Sequence, residues 1–305
     1  MRKPTRKPTQ TSTQSSTQTS TKRSRKKSTK RSVIAVVAAG TLTLAGLATA
    51  QAGQDAARPA SKGSCAGRSC SSALLTVDYD NGLLNSGIPQ LTTTHATAPD
   101  ASYVVDSRPG RAVAHKVTLG DPGYVSDGAP RSESATNDVR EGRFVVGDHQ
   151  RYEFSVLLKD WKTYEPGDSE SGDIIFQGKH AGGNLPSFYL MTKRNSIAFR
   201  SPTLNLQATV VDDIRPHLGR WMRFRVDVKW TDDSTGSYKV STRMPGTSRF
   251  TLRKAYESVQ TFHPVNPADF GYLKWGLYRP GQTLDKGDVP TRIVHHDDIR
   301  VLDLP

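Results

Sequence analysis

Cysteine is almost missing from this chain. Its 305 residues contain two, Cys65 and Cys70, in the run Gly-Ser-Cys-Ala-Gly-Arg-Ser-Cys. That spacing is not a metal knuckle, and no second pair exists to complete one. In an oxidising compartment the two can close a small loop, a local staple with no catalytic part. Acidic residues are also missing at the start: no Asp or Glu precedes Asp55. Long amphipathic helical patterns and internal repeats are absent, which argues against helical bundles and solenoids. Long apolar runs are scarce too. The one clear case, Val33 to Leu47, is diluted by Gly and Thr and is short for a membrane span, which needs about 20 apolar residues.

What is present at the start is basic and polar. Of 42 Lys and Arg residues, 11 lie in residues 1–32, so the formal charge of +13 is concentrated there. The remainder carries 31 basic and 29 acidic residues, a net of +2. A near-neutral body removes the nucleic-acid partner that the whole-chain charge suggests. Residues 1–32 are Ser/Thr/Gln/Lys/Arg-rich and are expected to be a disordered basic n-region. Residues 33–52 follow as an apolar h-region ending in the small-x-small patterns Ala48-Thr49-Ala50 and Ala50-Gln51-Ala52. Together these read as a secretory signal peptide, so the expected location is extracellular, with no membrane contact after cleavage. Residues 53–73 read as a flexible linker, and residues 74–305 as one domain, a size that a single β-sandwich can fill.

Within 74–305 the pattern is short strands separated by Gly, Pro, Asp and Asn. Tyr152, Phe154, Val156 and Leu158 fall on one face, with Arg151, Glu153 and Ser155 opposite. Met222, Phe224, Val226, Val228 and Trp230 form a second apolar stripe. Asp232 to Gly236 then turns the chain, and Tyr238, Val240 and Thr242 begin the return, a β-hairpin signal. Ile293 to Leu302 reads as a final strand. The expected fold is all-β: an antiparallel β-sandwich of the concanavalin-like jelly-roll kind, with a concave groove.

One strand carries more polar chemistry than a solvent face needs. In Tyr272-Leu273-Lys274-Trp275-Gly276-Leu277-Tyr278, a period of two puts Tyr272, Lys274 and Tyr278 together and Leu273, Trp275 and Leu277 on the buried side. Two further segments match it, Arg131-Ser132-Glu133 and Ile175-Phe176-Gln177-Gly178-Lys179-His180. An Arg, a Gln, a His, a Lys and a Tyr on such faces can hold an acidic sugar and remove a proton beside its carboxylate.

The order of these segments resembles the polysaccharide lyases with a β-jelly-roll fold, the heparin lyase I and glucuronan lyase group, with alginate lyases more distant. The resemblance runs from about Val77 to Leu304. It rests on Arg131-x-Glu133, a strand ending in Gln177 and His180, Gly219-Arg220-Trp221 opening a strand to Trp230, and Tyr-x-Lys-x-Gly-x-Tyr at 272–278. It implies cleavage of a uronic-acid polymer by β-elimination: a base takes the C5 proton, the 4-O-glycosidic bond breaks, and an unsaturated uronide remains. Gln177 and Arg131 are then the expected donors to the carboxylate, where negative charge builds as the proton leaves. His180 is the expected base or base partner. Tyr278 is expected to protonate the departing oxygen, with a share in proton abstraction open to it, and Tyr272 is the backup. Lys274, Lys179 and Arg279 are expected as subsite cations, beside Glu133. The chain departs from the family at one point: two residues, not one, separate Gln177 from His180. A regular strand would pair Lys179 with Gln177 on one face, so a bulge at Gly178 is needed to re-aim His180.

Two other clusters read as structural. Asp168 to Asp173 lies among Gly, Pro and Ser before a strand and reads as a turn, not as a glycosidase carboxylate pair or a calcium loop. His295-His296-Asp297-Asp298 reads as the start of the final strand, because adjacent histidines point to opposite faces and cannot simply chelate one ion. No metal site and no required cofactor are read from the residues; some members of the group bind calcium, and nothing in the sequence locates such a site. The expected partner is an acidic polysaccharide, and the expected state is a monomer. The alternatives are a non-catalytic carbohydrate-binding sandwich and a glycoside hydrolase on a similar fold.

Overall fold

A computed structural model of the chain describes residues 73–107, 110–183, 185–264, 266 and 269–305. The basic leader, the segment read as an export signal, most of the expected linker, and Cys65 and Cys70 lie outside the described residues. Sixteen strands are described. In chain order they begin with β1 (Ala73–Val77), β2 (Ser102–Asp106), β3 (Arg111–Thr118), β4 (Val125–Ser126), β5 (Ala129–Ala135) and β6 (Arg143–Phe144). Next come β7 (His149–Lys159), β8 (Asp173–His180), β9 (Pro186–Lys193), β10 (Ser196–Ser201) and β11 (Leu206–Val211). The last are β12 (Met222–Lys229), β13 (Gly236–Arg243), β14 (Thr251–Val259), β15 (Gly271–Tyr278) and β16 (Thr291–Asp303).

These strands make two antiparallel sheets. One runs β14-β13-β12-β7-β16-β3-β2, with β1 also on β16; the other runs β11-β10-β9-β8-β15-β5-β4, with β6 also on β15. The expected hairpin is β12–β13, in register at Val226 and Val240, and the expected final strand is β16. The apolar stripes fill the space between the sheets: Tyr152, Phe154, Val156, Leu158, Phe224 and Trp230 are all at most 1% exposed. Phe154 of β7 stacks on Phe176 of β8 at 3.8 Å, which joins the sheets face to face. Buried phenols and indoles need partners for their polar atoms. Trp230 Nε1 donates to Tyr152 Oη at 2.7 Å, and Trp275 Nε1 to Tyr79 Oη at 2.8 Å.

The clusters read as structural take structural places. Asp168 caps a turn by accepting the Glu165 N–H at 2.9 Å and pairing with Lys162 at 2.7 Å. His296 is fully buried between the sheets and donates from Nε2 to the carbonyl of Ile175 at 2.8 Å. His295 faces the other way and is part-exposed.

Candidate active site

Three neighbouring strands, β5, β15 and β8, carry the polar face. Register aligns Tyr278 with Arg131 and Gly276 with Glu133 on one side of β15. On the other side it aligns Lys274 with Gln177 and Tyr272 with Lys179. Leu273, Trp275 and Leu277 are fully buried on the core side, as the period of two requires. Gly276 sits at φ +142°, and a Cβ there would meet the Ser132 carbonyl oxygen at 2.3 Å and Glu133 Cα at 2.7 Å. Only glycine lets β5 lie this close. Because β15 has no side chain opposite Glu133, the carboxylate of Glu133 reaches across it to β8.

Glu133 is the hub of the face. It is 5% exposed. It accepts a 2.6 Å hydrogen bond from Gln177 Nε2 and is ion-paired with Lys274 Nζ at 2.7 Å. Arg131 Nη1 lies 3.9 Å from it. A carboxylate can only accept, so this contact fixes the Gln177 amide with its nitrogen toward Glu133. The Arg131 guanidinium stacks over the Tyr278 ring at 4.1 Å and also reaches Asp127 at 3.5 Å. A cavity of about 250 Å³ opens above these groups, lined by Arg131, Gln177, Lys179 and Tyr278 together with Ile174, Leu185, Pro186, Tyr189, Pro202 and Pro280. It combines cations, an amide and phenols with apolar walls, a composition suited to a sugar ring that bears a carboxylate.

Electrostatics differ along the face. Lys179 donates to the Gly183 carbonyl at 2.5 Å. Burial, with Lys274 and Arg131 nearby, holds its amine below the ordinary lysine range, while Glu133 and Asp127 act in the opposite sense. Burial raises the Tyr272 phenol, and Glu133 and Asp127 add to that rise. Lys274 is 8% exposed and committed to Glu133, so it sits in the floor and not on a solvated face.

Two expected site residues lie elsewhere. The pairing of β8 with β9 does shift between Gly178 and Lys179, yet side chains keep alternating. Gly178 faces the Phe188 ring, Lys179 lines the cavity, and His180 turns into the core. There His180 is 2% exposed, 4.6 Å from the Phe262 ring centre and 5.8 Å from that of Phe144. Its Nε2 accepts the His263 N–H at 3.1 Å and is joined to the Ser187 hydroxyl. Burial, then His263 and Lys179, push its pKa down to about 4. The shift at Gly178 therefore does not re-aim His180 toward Gln177. Arg279 is also not a subsite cation. It lies just past the end of β15, 1% exposed, and clamps Asp173 at 3.1 Å, Gln282 at 2.7 Å and the carbonyls of Val289 and Pro290 at 2.5 and 3.2 Å.

Sequence reasoning missed the contribution of β9 and β10. Tyr189 lies beside Gln177 in register, and Arg200 beside Tyr189. Their signal was the same period of two: Phe188 and Leu190 are fully buried, and Tyr189 stands between them on the opposite face. Among the described residues, no three His, Cys, Asp or Glu side chains are grouped to hold a metal ion.

A family model described as polysaccharide lyase matches residues 84–300. Among solved structures, an endo-beta-1,4-glucuronan lyase from the fungus Trichoderma reesei is similar over 76% of this chain and 95% of its own, at 18% identity and a TM-score of 0.53. A marine PL-14 alginate lyase from Aplysia kurodai is similar over 77% of this chain and 100% of its own, at 11% identity and a TM-score of 0.53. Both likenesses are of fold. A search of the curated proteins finds no match.

Proposed function

The chain belongs to the polysaccharide lyase family, and from that premise we propose that it cleaves a uronic-acid-containing polysaccharide by β-elimination in the cavity over β5, β15 and β8. The observation that carries this reading is the convergence of Arg131, Gln177 and Tyr278 on one cavity. The C5 proton of a uronate is weakly acidic, because the adjacent carboxylate is already negative. Removing it places further charge on the carboxylate oxygens, and fixed donors aimed there lower the barrier. Arg131 supplies a guanidinium that grips a carboxylate in two-point fashion. Gln177 supplies an amide whose orientation is set by Glu133. Tyr278 protonates the departing O4 oxygen. The buried carboxylate of Glu133 is tied to Lys274 and Gln177, which suits it to orienting donors and poorly to the paired-carboxylate work of a hydrolase.

The chemistry of the cavity fits a glucuronan, an alginate or a related acidic polymer. A near-neutral body disfavours very heavily sulfated chains, which call for a strongly basic cleft. The leader fits an enzyme that meets such polymers outside the cell.

The test is incubation with glucuronan, alginate, heparin, hyaluronan and pectate in turn, following the near-ultraviolet absorbance of the conjugated double bond that only an elimination creates. One polymer is expected to give a rise, and Tyr278→Phe is expected to reduce kcat about 10²- to 10⁴-fold. Reducing ends without absorbance would establish a hydrolase instead.

A further inference from the structure

We propose that Lys179, and not His180, is the base that removes the C5 proton. The inference rests on the elimination reading above. It starts from a gap in the site: the imidazole expected to act is enclosed by Phe262, Phe144 and Trp230 on the core side of β8, and its Nε2 is occupied by the His263 N–H and the Ser187 hydroxyl. A base must be within hydrogen-bond reach of the proton it takes, and a ring on the other face of the sheet is not.

The cavity itself supplies few proton acceptors. Arg131 stays protonated at any working pH. Gln177 has no basic nitrogen. Glu133 is buried and already engaged by Gln177 and Lys274. Tyr278 is the expected acid. Burial raises the Tyr189 phenol, which makes it a poorer proton acceptor still. Lys179 lies two residues from Gln177 on the same face and on the wall of the same cavity. Its Nζ donates to the neutral carbonyl of Gly183, a bond that an uncharged amine makes as well as an ammonium does.

The surroundings favour the uncharged amine. Lys274 and Tyr272 face Lys179 from β15, Arg131 and Glu133 from β5, and Asp127 from the turn before β5; its register partner on β9 is the uncharged Pro186, with Tyr189 opposite Gln177 on the same cavity wall. Burial and the two cations lower the pKa of the amine, and the two carboxylates offset part of that. Partly buried lysines beside other cations are well suited to general-base work.

The step balances. The Nζ lone pair takes the C5 proton and becomes an ammonium. The C5–H electron pair forms the C4=C5 double bond, and the C4–O bond breaks. The departing oxygen takes the Tyr278 phenolic proton. The Lys179 ammonium then returns its proton through water to the Tyr278 phenolate, and both groups are restored.

The experiment uses the full chain and whichever polymer the panel identifies. Lys179→Arg keeps the charge but cannot lose a proton, and Lys179→Gln removes the charge. For Lys179→Arg, kcat is expected to fall about 10²- to 10⁴-fold, with KM within a few-fold and retardation in a gel containing the polymer retained. The wild-type kcat/KM should rise with pH through a limb well above 4, and that limb should vanish in Lys179→Arg. Methylamine should restore turnover to Lys179→Ala in proportion to its unprotonated concentration. A Lys179→Arg enzyme with kcat within threefold of wild type and an unchanged limb would overturn the assignment while leaving the elimination reading intact. A wild-type enzyme that yields no unsaturated product from any polymer would overturn both.

Discussion

Glu133 shows how one side chain can set several others. It is buried, and its carboxylate joins Gln177, Lys274 and Arg131, which belong to three strands. Replacing it with Gln keeps the size and one acceptor but leaves the buried Lys274 ammonium without its counter-charge. Breaking one side of a buried pair costs about 3–5 kcal/mol, so the urea midpoint of Glu133→Gln should fall accordingly. The same change has a second, separable readout. Glu133 raises the Lys179 pKa, so removing its charge should move the acid limb of kcat/KM to lower pH. A limb that stays in place, or moves up, would show that the titrating group is not within reach of Glu133. Arg279 makes the opposite case. Arg279→Ala strips the buried Asp173 of its 3.1 Å partner and should cost a similar 3–5 kcal/mol. Because Arg279 lies outside the cavity, KM of the folded fraction should be unchanged.

At the scale of the element, β15 is the strand on which the site depends. Gly276 faces Glu133 across the pairing, and a methyl there would press into the Ser132 carbonyl. Gly276→Ala adds steric contact to a backbone conformation that L-residues rarely adopt, a strain of roughly 1–3 kcal/mol. Equilibrium unfolding should show that loss, and kcat should fall with it, since Glu133 and Arg131 both move with β5. An Ala variant with native stability and native kcat would mean that the close approach at Gly276 has no functional weight. Much of this element was legible beforehand. A period of two in Tyr272 to Tyr278 separated the buried wall from the polar face, and the same rule separated the two faces of β7 and β12. What the period could not give was the phase after an irregularity. On β8 both Ile175 and Phe176 belong to the core, and the pairing with β9 shifts between Ile174 and Phe176 and again after Gly178. From residue types alone, either His180 or Lys179 can follow Gln177 onto the polar face. Aromatic neighbours on β6 and after β14, Phe144 and Phe262, decide that His180 goes inward, and these lie far away in sequence. Arg279 was misplaced for a related reason: one residue past the strand end, alternation no longer fixes direction, and the partners that claim it, Asp173 and Gln282, are set by tertiary packing.

For the whole molecule, the two sheets enclose histidines that cannot carry charge there. His115 and His296 are fully buried with ring centres 6.2 Å apart. Burial pushes His115 down to about 3, and burial together with His115 holds His296 well below the ordinary histidine range. The sign follows from linkage. In the unfolded chain both histidines protonate near pH 6.5, whereas the folded protein resists it, so below that pH the unfolded state binds more protons and stability falls. Each such group removes about 1.4 kcal/mol per pH unit until its folded pKa is reached. One carboxylate acts the other way. Asp297 is raised to about 7, chiefly by burial, with Asp298, Asp80 and Asp78 adding to it, so the folded state takes up its proton first and gains stability as pH drops from 7 toward 4. Asp297 is only partly buried, which weakens its share. Two enclosed histidines against one half-exposed carboxylate leave a net loss of at least about 1.4 kcal/mol per pH unit between pH 6.5 and 4, and the depressed His180 adds to it. Against a typical total of about 5–15 kcal/mol, the roughly 3.5 kcal/mol that this slope removes by pH 4 is a large share of the stability. Urea midpoints at pH 7, 6 and 5 should decline steadily. Replacing His115 with Gln, which retains hydrogen-bonding capacity toward Ser132 and Ser134, should flatten the decline by about one proton's worth. A midpoint that is level from pH 7 to 5, or a slope indifferent to His115→Gln, would show that the enclosed histidines accept protons without cost and that the inter-sheet space is wetter than its packing implies.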